Sequence, residues 1–205
     1  MDGRRRTGAF AAGVVLGAAA FGAVRFAALP PPDQFHYHAN WALWIDGSRV
    51  DLSGNEYMEA VTACAVDASQ MTGEARVHMH ENNPDVIHVH HGGATWAHLL
   101  QNLGWGIGYG WIVTRDRTIL REGEGAQLNF VLNGLVVPPV HDRVIRPGDR
   151  LLISFGPETP ATLLAERFST VAENAPEYDM TSDPAGCGGA VEETLGERLR
   201  RAFWF

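Results

Sequence analysis

The residues in this chain best suited to chemistry are its histidines. Of nine in 205 residues, six fall into three His-x-His pairs, His36/His38, His78/His80 and His88/His90. Side chains alternate across a strand with period two, so each pair puts both imidazoles on one face. Neutral imidazole is a ligand for zinc, copper, nickel and cobalt, and three or four such groups on adjacent strands complete a metal shell without any cysteine. The densest stretch is Val77-His-Met-His-Glu-Asn-Asn-Pro-Asp-Val-Ile-His-Val-His-His-Gly-Gly93. Its middle, Glu81 to Asp85, is a cluster of turn formers, so the stretch predicts a hairpin that brings His78, His80, His88 and His90 onto one face. These four are the primary predicted ligands, with copper or zinc as the ion. His36 and His38 lie in a second alternating run that ends in the turn signal Asp46-Gly47, and they join only if that strand neighbours the hairpin. Glu81, Asp85 and His91 are supplementary ligands or groups that orient the imidazoles. The competing reading leaves the histidines as a decorated polar face. His98 falls on the polar side of a helix and is expected in solvent, and His141, after Pro138-Pro139, reads as a loop residue.

The elements that must position these groups are legible from punctuation and period. Strands are expected at Phe35 to Ile45, Ser48 to Leu52, Val77 to His80 and Val86 to His90. Thr95 reads as an N-cap, followed by Trp96, Leu99, Leu100 and Leu103 at helical spacing and Gly104 as the stop. A short strand follows at Trp111 to Thr114. Leu128 to Leu132 is a strand, Asn133-Gly134 a type I′ turn, Leu135 to Val137 the return, and Arg150 to Phe155 a last strand after Pro147-Gly148-Asp149. Thr159-Pro160 caps a final helix whose buried stripe is Leu163, Leu164, Phe168 and Val171.

With 45% hydrophobic residues the chain has ample material for one core, and its composition is not that of a disordered or fibrous protein. The net charge is −8, and residues 30–205 carry 12 Arg against 23 acids, a balance that repels phosphate backbones and argues against nucleic acid. There is no lysine, which excludes Schiff-base and P-loop lysine chemistry. Arg4, Arg5 and Arg6 precede an apolar run from Gly8 to Val24, interrupted by Arg25 and resumed to Leu29. This segment predicts a single transmembrane helix over residues 1–29, with the N-terminus in the cytoplasm and the C-terminal domain extracytoplasmic. A cleaved signal peptide is the alternative. A Pro-rich linker at 30–34, an α+β ectodomain at 35–172 and a tail at 173–205 complete the expected organisation. Gly13 and Gly17 have the spacing of a helix-packing pair.

The run of strands and helix, with Val131-Leu132-Asn133-Gly134 and Arg146-Pro147-Gly148-Asp149-Arg150-Leu151-Leu152-Ile153, resembles the β-grasp (ubiquitin-like) plan and its sulfur-carrier branch. The resemblance implies a mixed sheet with one or two packed helices. Sulfur carriers use a free C-terminal Gly-Gly close to the last strand, whereas sixteen residues follow Gly188-Gly189 here, so carrier chemistry is not implied. The repeated His-x-His, Asn40-Trp41, Thr95-Trp96 and late Asp183-Pro184-Ala185-Gly186-Cys187 also resemble a set of uncharacterised single-anchor bacterial and archaeal proteins, a likeness that bears on topology and supplies no function.

Cys64 and Cys187 are the only cysteines, and outside the cytoplasm such a pair suggests a disulfide. Closing that loop is worth on the order of 4 to 5 kcal/mol in the chain-entropy picture. The tail places Leu195, Leu199, Ala202 and Phe203 on one stripe beside Arg198, Arg200 and Arg201, suited to a membrane surface, a partner subunit or the chain's own domain. No nucleophile-elbow, Walker, dinucleotide or zincin motif is present. The expected function is a membrane-anchored metal-binding protein for metal handling, or an accessory subunit that meets other membrane proteins through the anchor and the aromatic tail. The alternatives are a metal-dependent enzyme, a cupin-like oxidase or hydrolase with a His-ligated site, and an interaction subunit without metal.

Overall fold

The computed structural model describes residues 2–29, 36–58, 76–180 and 195–203. The chain divides into two units, one of Phe35–Gly189 and one of Met1–Gln34 with Ala190–Phe205. The first helix, α1 (Asp2–Ala28), covers the segment expected to be a transmembrane anchor. That expectation is corrected: among the described residues no helix is long and apolar enough to cross a membrane. The stretch between Arg6 and Arg25 has 18 residues, about 27 Å at 1.5 Å per residue, against the ~30 Å of a hydrocarbon core. Much of it is alanine and glycine, which offer little apolar surface. The predicted placement of the N-terminus in the cytoplasm and of the C-terminal domain outside it rested on that span and goes with it.

In the larger unit the organising element is β1 (Tyr37–Ile45), six of whose nine positions are buried. Asp46 (φ 48°) and Gly47 (φ 73°) turn the chain into β2 (Ser48–Arg49), which pairs with the end of β1. The hairpin of β3 (Val77–His78) and β4 (Val86–Val89) follows, with His78 opposite His88. After α2 (Trp96–Asn102) come β5 (Gly106–Gly108), β6 (Trp111–Val113) and β7 (Ile119–Arg121), a small antiparallel sheet of their own. The chain returns through β8 (Gln127–Leu132), the left-handed turn Asn133-Gly134, β9 (Leu135–Val137) and β10 (Arg150–Gly156).

The main sheet has the order β3-β4-β1-β10-β8-β9. Its two central strands, β1 and β10, are parallel, with Asn40 opposite Arg150 and Leu43 opposite Ile153. β4 runs antiparallel on the other side of β1, with His38 opposite His88. The sheet is covered on both faces, which is why β1 reads as a nearly continuous buried run. Ala39, Trp41 and Leu43 project to one side, into a core with Met79, Ile87, Leu151, Ile153 and the α2 residues Trp96, Leu99 and Leu100. Thr95 caps α2 as expected, accepting a hydrogen bond from the His98 N–H at 3.3 Å, and the His98 imidazole accepts in return from the Thr95 N–H at 3.0 Å. His98, expected as a solvent residue, is thus half of a capping box.

On the other side Ala42, Val131 and Leu152 pack under α3 (Pro160–Thr162) and the turns that continue it. Residues Leu163–Arg167 form a π turn and Phe168–Thr170 a 3-10 turn, not the single α-helix that period alone predicts. The wider i→i+5 turn rotates the stripe. Leu163 and Val171 stay buried and Leu164 comes out to 37% exposure. The chain then crosses the same face as α4 (Ala175–Asp179).

In the smaller unit α5 (Leu195–Phe203) lies against the end of α1. Arg198 donates to the Leu29 carbonyl and stands over the Phe26 ring, and Arg25 donates to the Arg201 carbonyl. Phe203 sits where a side chain on Gly22 would be, 1.9 Å from the nearest ring atom, whereas a Cβ on Gly13 or Gly17 would meet nothing within 4 Å. Cys64 and Cys187, and the disulfide expected between them, lie outside the described residues.

Candidate metal site

The face of β1 that carries Ala42 also carries His36 and His38, and the hairpin adds its four imidazoles to that face. Strand order joins the three pairs: β4 lies between β3 and β1, so His78, His88 and His38 form one row across three strands. Cross-strand neighbours in an antiparallel pair stand about 5 Å apart at Cβ, close enough for imidazole rings to touch. His38 and His88 meet edge to face at 4.4 Å between ring centroids, and His80 lies 3.6 Å from His88. His36 stacks on His90 at 4.9 Å, and His78 stacks on His90 at the same distance from the other side. The six histidines therefore form one continuous patch, in which His38, His78, His80 and His88 are buried.

The turn that holds the hairpin in register is specific. Glu81 (φ 59°) and Asn82 (φ 55°) take the left-handed conformation, which asparagine tolerates. Asn82 donates to the Ser53 carbonyl and to Asn55 Oδ1, each at 2.9 Å, and Asp85 pairs with Arg49. Glu81 approaches His80 Nδ1 only to 4.0 Å. Asp85 uses its side chain on Arg49 of β2 and its carbonyl on the Asn40 amide of β1, which ties the start of β4 to both strands. His91 Nδ1 lies 2.7 Å from the Gly92 carbonyl, and His141 pairs with Asp142 and meets the Tyr109 ring edge to face.

One ligand atom from each of His36, His88 and His90 comes within 4.8 Å of the others. A tetrahedral zinc ion with bonds near 2 Å separates its ligands by about 3.3 Å, so the three stacked rings must turn and draw closer to share one ion. This trio joins His36, just before β1, to His88 in β4 and His90 just after it, whereas the sequence put its primary set on the β3–β4 hairpin and held His36 and His38 second because strand order was open. His78 and His80 stack beside the trio.

Burial lowers the pKa of His88 far below that of an exposed histidine, and the neighbouring imidazoles of His80, His38, His78 and His90 lower it further. His88 is therefore neutral at physiological pH, the form that coordinates a metal. No family model, curated protein or solved structure matches this chain.

Two groups that the sequence did not single out, Asp179 and Tyr178, complete the site together with Asn40, which the sequence placed in the Asn40-Trp41 pair on the strand walling the histidines. Asp179 Oδ1 lies 2.6 Å from His38 Nδ1 and accepts the His38 backbone N–H at 3.0 Å, and His38 Nε2 lies 2.8 Å from His88 Nδ1. The Tyr178 ring covers His38 and His88 at 5.7 and 6.2 Å, and its hydroxyl accepts from Asn83 at 2.8 Å. Asn40, buried one step along β1 from the histidines, donates to Asn174 Oδ1 and accepts the Ala175 N–H, both at 2.9 Å, and so fastens α4 over the patch. Asp179 is 141 residues from His38 in sequence, and no local pattern connects the two. Asn40 had a weak signal: a buried position on an alternating strand given to an amide requires partners.

Proposed function

We propose that this chain is a metal-binding protein, holding a late first-row transition ion, copper or zinc, through His36, His88 and His90 and serving in metal handling. The observation that carries the reading is the approach of those three side chains to within 4.8 Å across neighbouring strands. The chemistry of the donor set supports it: neutral imidazoles suit copper, zinc, nickel or cobalt and offer little to calcium or magnesium, which take oxygen. Three nitrogens also leave a coordination position open, which favours a metal-dependent hydrolase or oxidase as the second reading. The sheet order, with parallel first and last strands at its centre and a helix on one face, supports a β-grasp-like reading of the domain.

The test is elemental analysis of the full chain, purified without a histidine tag, stripped with chelator and reloaded with Zn(II) or Cu(II). The expected result is one ion per chain, lost in the His36→Ala/His90→Ala variant. No metal above background at saturating zinc and copper would overturn the reading. An exchangeable water on the bound ion together with turnover of a model ester would move the assignment to the enzyme.

A further inference from the structure

The line from Asp179 through His38 to His88 admits few proton arrangements, and this decides which nitrogen His88 offers. A carboxylate has no proton to give, so His38 Nδ1, 2.6 Å away, is the donor of that bond. When Nδ1 carries the one proton of His38, its Nε2 has only a lone pair, and the 2.8 Å contact with His88 Nδ1 is completed by the His88 proton. His88 is left with a bare Nε2. Reading the line from the other end gives the same result: an ion on His88 Nε2 requires the proton on Nδ1, which in turn requires His38 to accept at Nε2 and donate at Nδ1.

We propose that Asp179 and His38 are positioning residues for the metal centre, the carboxylate fixing the protons along this line so that His88 keeps a bare Nε2 for the ion shared with His36 and His90. The inference rests on the metal-binding reading. Carboxylate–histidine pairs behind metal ligands orient the ring and raise its basicity, and their loss weakens metal binding by about 10- to 100-fold. What is distinctive here is that the carboxylate reaches the ligand through a second imidazole and comes from α4, which follows the last strand and is fastened by Asn40. The Asp179 side chain is 35% exposed, so its removal opens no closed cavity.

The test reads the protons directly. In the metal-free full chain labelled with ¹⁵N-histidine, long-range ¹H–¹⁵N spectra are expected to show His88 protonated at Nδ1 and bare at Nε2. Asp179→Ala should mix the two tautomers, and Asp179→Asn, whose Oδ1 still accepts, should restore the original pattern. In chelator competition Asp179→Ala should weaken zinc binding about 10- to 100-fold, with stoichiometry at saturation unchanged and far-UV circular dichroism as in the parent. A proton on His88 Nε2 in the parent, or an Asp179→Ala variant with unaltered tautomer and affinity, would overturn the inference while leaving stoichiometric metal binding in place. Absence of metal binding by the parent chain would remove both.

Discussion

Replacing Asn40 with alanine tests how much of the hold on α4 over the histidines comes from one buried amide. The Asn40 side chain is 1% exposed and makes three hydrogen bonds, to the Asp85 carbonyl at 3.0 Å, to Asn174 Oδ1 at 2.9 Å and from the Ala175 N–H at 2.9 Å. Each is worth about 1 kcal/mol net, and the substitution strands the N–H of the fully buried Ala175, so the total loss is about 3 kcal/mol. With a urea slope of about 2 kcal/mol/M for a domain of this size, the midpoint falls by about 1.5 M. The assay is urea unfolding followed by circular dichroism, together with amide exchange at Ala175. Exchange there should rise ahead of global unfolding, because the remaining ties of α4 and its flanks lie away from Ala175: Arg150 on the Ala172 carbonyl before the helix, and the Asn83–Tyr178 and His38–Asp179 bonds at its far end. A midpoint shift below about 0.5 M, or an Ala175 amide as protected as in the parent, would refute the reasoning.

Other outcomes follow from the same structure. Because the His88 pKa is lowered in the folded chain, the unfolded chain binds the extra proton below about pH 6.5. Stability of the metal-free protein is therefore retained above that pH and falls on acidification by on the order of 1 kcal/mol per unit between pH 6.5 and 5, and His88→Gln should flatten that slope in urea melts. Zinc at 100 times its dissociation constant should stabilise the chain by about 2.7 kcal/mol, read as a rise in Tm that EDTA reverses. Thr95→Ala should cost about 1 kcal/mol by removing the α2 cap, measured by urea unfolding. Trp96→Ala, at a position fully buried between α2 and the sheet, should cost about 3 to 5 kcal/mol and show in loss of near-ultraviolet dichroism.

What the sequence reveals follows from how local the cause is. Asn133-Gly134 and Asp46-Gly47 announce their turns because the left-handed conformation selects those residues, and Thr95 announces a helix start because a cap is a three-residue matter. The His-x-His pairs announce faces for the same reason. Which pairs meet is another kind of question, since it depends on β4 lying beside β1, and nothing within either strand encodes its neighbour. The π turn at Leu163–Arg167 is also invisible to period counting, because it arises from how the chain closes over Leu152 and Val131. The N-terminal expectation failed on length: the apolar run was added across Arg25, and between the arginines it is too short to span. Asp179 was out of reach because its partner lies at the opposite end of the domain.

The fastening of α4 across β1 gives the site a history as well as a geometry. β1 is the first strand of the domain to leave the ribosome, and the α4 carboxylate among the last of its groups to follow, with the parallel partner β10 arriving in between. A nascent chain stopped before Ala175 already displays all six imidazoles, yet has neither Tyr178, whose ring lies against His38 and His88, nor Asp179, which bonds His38. On the proposed metal-binding reading, tight capture of an ion therefore waits until synthesis has passed Asp179 and α4 has docked on β1.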